Sequence, residues 1–235
     1  MNLAPYSPPL WPVSVVGVAE EDELLRQADP RAGLSPEPGQ ISLLLLRTRP
    51  GITLGSSLTR KPAVLTRIRE IPGLPAVRTS PVAGTVGPGG QHWLGFLAVA
   101  NLPVPCARPL DRLTGSLRCF LEDRLGPWGV ELELGRVEGA WCPGFSDLAI
   151  AGRKLVGLGY RLTGGWGLVR GVVAVSPPDQ TELALLDACH RAFGPGLDYS
   201  KLVSLAEIAG LAGTERESAI QLLGGLSQSP AKMSE

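Results

Sequence analysis

The chain has 235 residues, 44% apolar and 19% charged, with 22 basic and 22 acidic side chains. That length fits one large domain, or one domain with a small appendage. A formal charge of zero leaves no basic excess to neutralise phosphates, which argues against a nucleic-acid partner.

The start of the chain is broken by Pro5, Pro8, Pro9 and Pro12, so it does not read as a secretory signal. Residues 1–12 are expected to be a loose lead. A short strand is expected over 13–18 and a helix over 20–27, with Leu24 and Leu25 facing inward. A Pro/Gly loop over 29–40 leads into 41–47, a nearly continuous apolar strand expected to be buried on both faces. Its apolar run, 43–46, is far too short to cross a bilayer. No membrane association is expected, and the location is expected to be cytoplasmic, where thiols stay reduced. A second short strand is expected over 52–54, and a helix over 62–70.

From Ala76 the pattern turns β-rich, with strands expected over 82–86 and 92–100. Gly87-Pro88-Gly89-Gly90 between them reads as a tight turn, since it lacks the Lys-Ser/Thr of a phosphate loop. The clearest helix is 108–125, where Leu110, Leu113, Leu117, Phe120 and Leu121 form one apolar stripe, and Gly126-Pro127 ends it. Strands follow over 130–134, 148–161 and 168–175. Gly152-Arg153 interrupts the second and suggests a hairpin turn. An amphipathic helix over 181–193 comes next, then two capping boxes, Ser204 with Glu207 and Thr214 with Glu217. Residues 226–235 read as a disordered tail. The sum is an α+β domain over 13–225, with a mixed, largely antiparallel central sheet and flanking helices.

The four cysteines (Cys106, Cys119, Cys142, Cys189) show no CxxC spacing, and only two histidines exist, so no zinc site is expected. Cys119 and Cys189 sit at helical positions and read as core filler. His190 reads as a solvated helix residue, and Trp93, Trp141 and Trp166 as sheet-packing residues. Cys142 lies among Gly and Pro, hence on a loop where a thiol is accessible. A nearby cation would favour its nucleophilic thiolate form. A turn at Gly152 would bring Lys154 back beside the start of 148–150, on the side where Cys142 enters. Gly157 and Gly159 leave room for a ligand to approach the backbone there. A loop thiol near a strand lysine is compatible with nucleophilic acyl transfer.

The run Cys142-Pro143-Gly144-Phe145-Ser146-Asp147-Leu148, with Gly152-Arg153-Lys154-Leu155-Val156-Gly157 after it, resembles the signature of the lipoate-protein ligase and octanoyltransferase superfamily. The resemblance runs from residue 13 to about 208 and includes Ser204-Leu205-Ala206-Glu207. It implies a biotin-ligase-like, class II synthetase-type catalytic domain. A cysteine twelve residues before the lysine is similar to the amidotransferase branch. That branch moves octanoyl from the glycine-cleavage H protein to lipoyl domains of 2-oxoacid dehydrogenases. The resemblance thus implies Cys142 as the acyl-carrying nucleophile and Lys154 as the group that polarises the acyl carbonyl. It implies Arg78, Gly84, Thr85, Asp147, Gly157 and Gly159 as substrate-binding positions; His92, which precedes a strand, reads either as a substrate-binding pocket residue or as a strand-edge residue. Donors would be an acyl carrier protein or the H protein, with no cofactor required.

The chain departs from the pattern at its glycine loop, Arg78-Thr79-Ser80-Pro81-Val82-Ala83-Gly84-Thr85-Val86, which keeps one glycine of three. Leu158-Gly159-Tyr160-Arg161 is closer to the octanoyl-carrier-protein transferase branch, whose cysteine lies in a late loop where this chain has Gly194-Pro195-Gly196. Arg170-Gly171 stands where His-Gly is usual. Two alternatives stay open: an ATP-dependent lipoate ligase, and a non-catalytic relative that binds an acyl group or a lipoyl domain.

Overall fold

The computed structural model describes residues 10–26, 29, 31–82, 86–210 and 216–225. The chain opens with strand β1 (Val13–Glu20), helix α1 (Glu21–Leu25), β2 (Ile41–Arg47) and β3 (Gly51–Leu54). Two short helices, α2 (Ser56–Thr59) and α3 (Pro62–Arg69), lead to β4 (Val77–Thr79), β5 (Val86–Gly89) and β6 (Trp93–Asn101). The longest helix, α4 (Pro109–Leu125), precedes β7 (Glu133–Gly135), β8 (Asp147–Ile150), β9 (Arg153–Thr163) and β10 (Trp166–Ala174). Helices α5 (Gln180–Arg191), α6 (Leu205–Ala209) and α7 (Arg216–Gly224) complete it.

Seven strands form one sheet in the order β1-β2-β6-β10-β9-β8-β7, and a second sheet has the order β4-β3-β5. In the large sheet β1 runs parallel to β2, and every other pairing is antiparallel. The expectation of a mixed, largely antiparallel sheet with flanking helices matches this architecture. The alternation of strand side chains sends two apolar sets to opposite faces. Leu43, Phe96 and Val169 meet the α4 stripe of Leu113, Leu117 and Leu121 on one side. Trp93, Val172 and Ala174 meet Ile52 and Val86 of the small sheet, with Leu186 and Cys189 of α5, on the other.

One expectation fails outright. Gly87-Pro88-Gly89 is not a turn but most of strand β5, pairing Thr53↔Gly87, Ile52↔Pro88 and Gly51↔Gly89. The residue choice reflects crowding: a Cβ on Gly89 would lie 2.5 Å from the Arg49 carbonyl oxygen. The strand expected over 82–86 begins only at its last residue, and the one expected over 130–134 shrinks to Glu133–Gly135. Ser204 and Glu207 do form a reciprocal capping box at the start of α6. The second box rests on Thr214, outside the described residues. Among the described residues no helix is long and apolar enough to cross a membrane.

Candidate active site

The site is built on the β8–β9 hairpin. Ala151 and Gly152, with φ of 49° and 69°, form its two-residue turn between the paired Ile150 and Arg153. Both central residues in the left-handed region match the twist of the flanking strands. Just beyond the turn the register shifts: Ala149 pairs with Lys154, but the adjacent Leu148 pairs with Val156. β9 therefore carries one extra residue, a β-bulge, and a bulge re-aims the side chains on its own side. Leu155 and Val156 both enter the core under α4. Lys154 turns the other way, and its Nζ would lie 3.3 Å from a Cβ placed on Gly157.

The lysine is completely buried, at 0% exposure. Its ammonium donates to the backbone carbonyls of Trp141 (2.6 Å) and Cys142 (2.9 Å) and lies 2.9 Å from Asp147 Oδ1. It also sits 4.5 Å from the centroid of the Trp141 ring, a cation–π contact. Trp141 packs edge-on against Trp93, with ring centroids 5.3 Å apart. The second oxygen of Asp147 accepts the Gly144 N–H at 2.8 Å. Burial pushes the Asp147 carboxyl upward, opposed by the Lys154 charge and that N–H. Asp147 and Lys154 thus clamp the Cys142-Pro143-Gly144 loop from both ends.

Cys142 holds a left-handed backbone, φ 43°, and its N–H donates to His190 Nε2 at 3.0 Å. Contrary to the expectation of a solvated helix residue, His190 is 3% exposed, in contact with the Phe193 ring at 5.0 Å. The signal for this was present: His190 follows Leu186 by four residues and so shares its inward face. Burial first, then the nearby Lys154 charge, holds the His190 ring down at about 4. By contrast, burial pushes the Cys189 thiol up to about 12, so it stays protonated.

Cys142 and Trp141 open onto a cleft between the two sheets. Gly157 and Gly159 form part of its floor, Val86 and Val172 are apolar wall, and Thr53 and Arg170 are polar wall. Arg170 is ion-paired with Glu21, and both are almost fully buried. Glu21 also accepts the Thr53 hydroxyl at 3.2 Å, and burial lowers the Arg170 guanidinium to about 10. Sequence reading did not assign Glu21 or Thr53 to this wall.

Of the sequence-derived positions, Cys142, Gly157 and Gly159 line the cleft, and Lys154 and Asp147 lie directly behind it. Arg78 stands behind the polar wall, its Nε donating to Thr53 Oγ1 at 3.4 Å. His92 is elsewhere, at the end of the sheet: its Nδ1 lies 2.7 Å from Ser176 Oγ and its Nε2 4.0 Å from Glu182. Gly84 and Thr85 lie outside the described residues. Trp166 is also remote from the cleft, stacked under Arg31 at 4.9 Å. Among the described residues no His/Cys/Asp/Glu group is arranged to hold a metal ion.

No protein-family model matches the chain. Over 97 residues it is 34% identical to the octanoyl-[GcvH]:protein N-octanoyltransferase of Kyrpidia tusciae; the match spans 41% of this chain and 33% of that protein's length. A T. acidophilum protein of the lipoate-protein-ligase type, solved with bound lipoic acid, superposes over 92% of this chain and 83% of its own, with TM-score 0.60 and 11% identity. The chain has the lipoate-protein-ligase fold. Lipoate-protein ligase A bound with ATP shares that fold at TM-score 0.60 and 14% identity, again over 92% of this chain and 83% of its own.

Proposed function

We propose that the protein is an acyltransferase that moves an octanoyl or lipoyl group onto lysines of lipoyl domains through a thioester at Cys142. The observation that carries this reading is the Cys142 loop, bound by the Lys154 ammonium through two backbone carbonyls at the edge of a cleft with one apolar and one polar wall. The curated relative's name supports the H protein as donor; an acyl carrier protein would serve by the same chemistry.

In the first half-reaction the Cys142 thiolate attacks the acyl carbonyl of the donor. The bond from that carbonyl to the donor's nitrogen or sulfur breaks, and the leaving group takes up the proton that the thiol gave up. In the second, the ε-amine of the acceptor lysine attacks the thioester, the thiolate leaves, and the amine sheds a proton. Splitting the transfer spares the enzyme from aligning two proteins at once. Lys154 supplies positive charge where the oxyanion develops. Its N–H groups already face the Trp141 and Cys142 carbonyls, so the incoming carbonyl must displace one of them. Gly157, where a Cβ would lie 3.3 Å from the Nζ, keeps a side chain off that face of the ammonium.

Incubation with octanoylated H protein should add one octanoyl mass to the wild type and none to Cys142→Ala. An equal adduct on the variant would remove Cys142 from the mechanism. Carrier binding without any adduct, equal in both proteins, would favour a non-catalytic acyl-binding relative. A lipoate ligase with this fold holds ATP, which favours a second reading, ATP-dependent ligation that bypasses Cys142. Pyrophosphate release on adding lipoate and ATP separates it from the first.

A further inference from the structure

We infer that His190 is a positioning residue for Cys142, anchoring its backbone N–H, and is not the base that deprotonates its thiol. The inference deepens the proposed thioester mechanism and rests on it for the role of Cys142.

A histidine adjoining a nucleophilic cysteine is ordinarily the general base of a Cys–His pair. Here the acceptor nitrogen is already used: Nε2 receives the Cys142 N–H at 3.0 Å. A neutral imidazole has one donor and one acceptor nitrogen, so Nδ1 carries the ring proton. Neither nitrogen is left to take the thiol's proton.

The anchor has a clear task. Cys142 occupies the left-handed region at φ 43°, which a residue with a Cβ adopts only when its surroundings impose it. Two bonds impose it from opposite sides: His190 holds the N–H and Lys154 holds the carbonyl at 2.9 Å. The two holders come from different elements, α5 and β9, so the thiol is fixed where helix and hairpin meet.

The charged groups around the ring agree with this role. Lys154 faces it from β9 and opposes a second cation; Asp187, on α5, is the opposing attraction. Asp187 is itself occupied by Arg191 at 2.7 Å and by the Leu197 N–H at 2.7 Å. The ring therefore stays neutral and keeps its acceptor throughout the neutral range.

The test compares wild type, His190→Gln and His190→Leu. Gln keeps an acceptor on a side chain of similar reach, and Leu does not. Protein labelled with [15N]cysteine gives four cysteine amides, and the one missing from Cys142→Ala is that of Cys142. The Cys142 amide should exchange slowly in wild type and Gln, and fast in Leu. Octanoyl transfer in Leu should lose about tenfold or more in kcat with KM little changed, the cost of a misplaced nucleophile. Gln should stay within about threefold of wild type. The pH midpoint for alkylation of Cys142 by iodoacetamide should be the same in wild type and Gln. A displaced midpoint in Gln, or a Gln variant as inactive as Leu, would make His190 the base and overturn the inference. Should Leu not fold, the wild-type and Gln comparison decides alone. Amide exchange and alkylation need no acyl donor, so the expected pattern in a protein that transfers nothing would sink the proposed function and leave His190 its role.

Discussion

The Lys154–Asp147 pair allows structural and chemical contributions to be separated. Both side chains are buried, at 0% and 1% exposure. Lys154→Met keeps most of the stem and removes the charge. Asp147 is then left with the Gly144 and Val137 N–H groups, and the Trp141 and Cys142 carbonyls lose their donor. Removing one member of a buried pair leaves an uncompensated charge and costs about 4 kcal/mol. For a chain of this size that lowers the thermal midpoint by roughly 10 °C. The loss should depend on pH. Burial already raises the Asp147 carboxyl, and without Lys154 it rises further above its unfolded value. A raised carboxyl penalises the folded state fully above its folded pKa, and the penalty disappears as pH falls and the group protonates. Urea unfolding should therefore show a larger deficit at pH 7 than at pH 5. Lys154→Met with Asp147→Asn removes both charges and should recover most of the stability at pH 7 but none of the octanoyl transfer. A double variant no more stable than the single one would refute the reasoning, as would a single-variant loss below about 1 kcal/mol, the scale of an exposed pair.

Gly157→Ala would set a Cβ 3.2 Å from Lys154 Cε and from Trp141 Nε1. Both neighbours are pinned, so overpacking should cost about 1–3 kcal/mol and slow transfer; an unchanged melting temperature would count against the packing described. His190 is held at about 4, below its ordinary value, so the unfolded chain takes up its proton first as pH falls. Stability should drop by about 1.4 kcal/mol per pH unit on this account between the unfolded and folded values, and His190→Gln should remove that increment from the unfolding curve. Glu21→Leu strands Arg170 and should cost about 3–5 kcal/mol, whereas Glu21→Leu with Arg170→Met should be far milder; equal losses in the two, measured by denaturant, would show that the pair is not coupled.

Much of the scaffold could be read along the chain because its signals are local. The apolar run of β2, the stripe of α4, the Ala151-Gly152 turn and the Ser204 box each depend on residues within one element. The Cys142 loop and Lys154 are close in sequence, and the hairpin between them was legible from Gly152. Long-range features were not. The Glu21–Arg170 pair joins α1 to β10, and no local pattern announces it. β5 looked like a turn because Gly and Pro disfavour strands locally, yet the space beside Arg49 admits only glycine at Gly89. His190 was legible by its spacing from Leu186, but its bond to Cys142 depends on how α5 lies against the loop. The direction of Lys154 could not be read from alternation, because the bulge breaks the alternation at that residue.

That single supernumerary residue governs which compartment of the fold receives a positive charge. With strict alternation Lys154 would point the same way as Val156, into the oily layer beneath α4, where an ammonium has no partner. Inserting one residue into β8 between Leu148 and Ala149, which gives Leu155 a partner and cancels the bulge, should thus move the amine from one side of the sheet to the other while leaving Cys142 and Lys154 present in the sequence. In any chain of this type, then, the presence of the cysteine and lysine is not enough for a working centre; the two strands of the hairpin must also differ by that one residue between the turn and the core-facing pair Leu148–Val156.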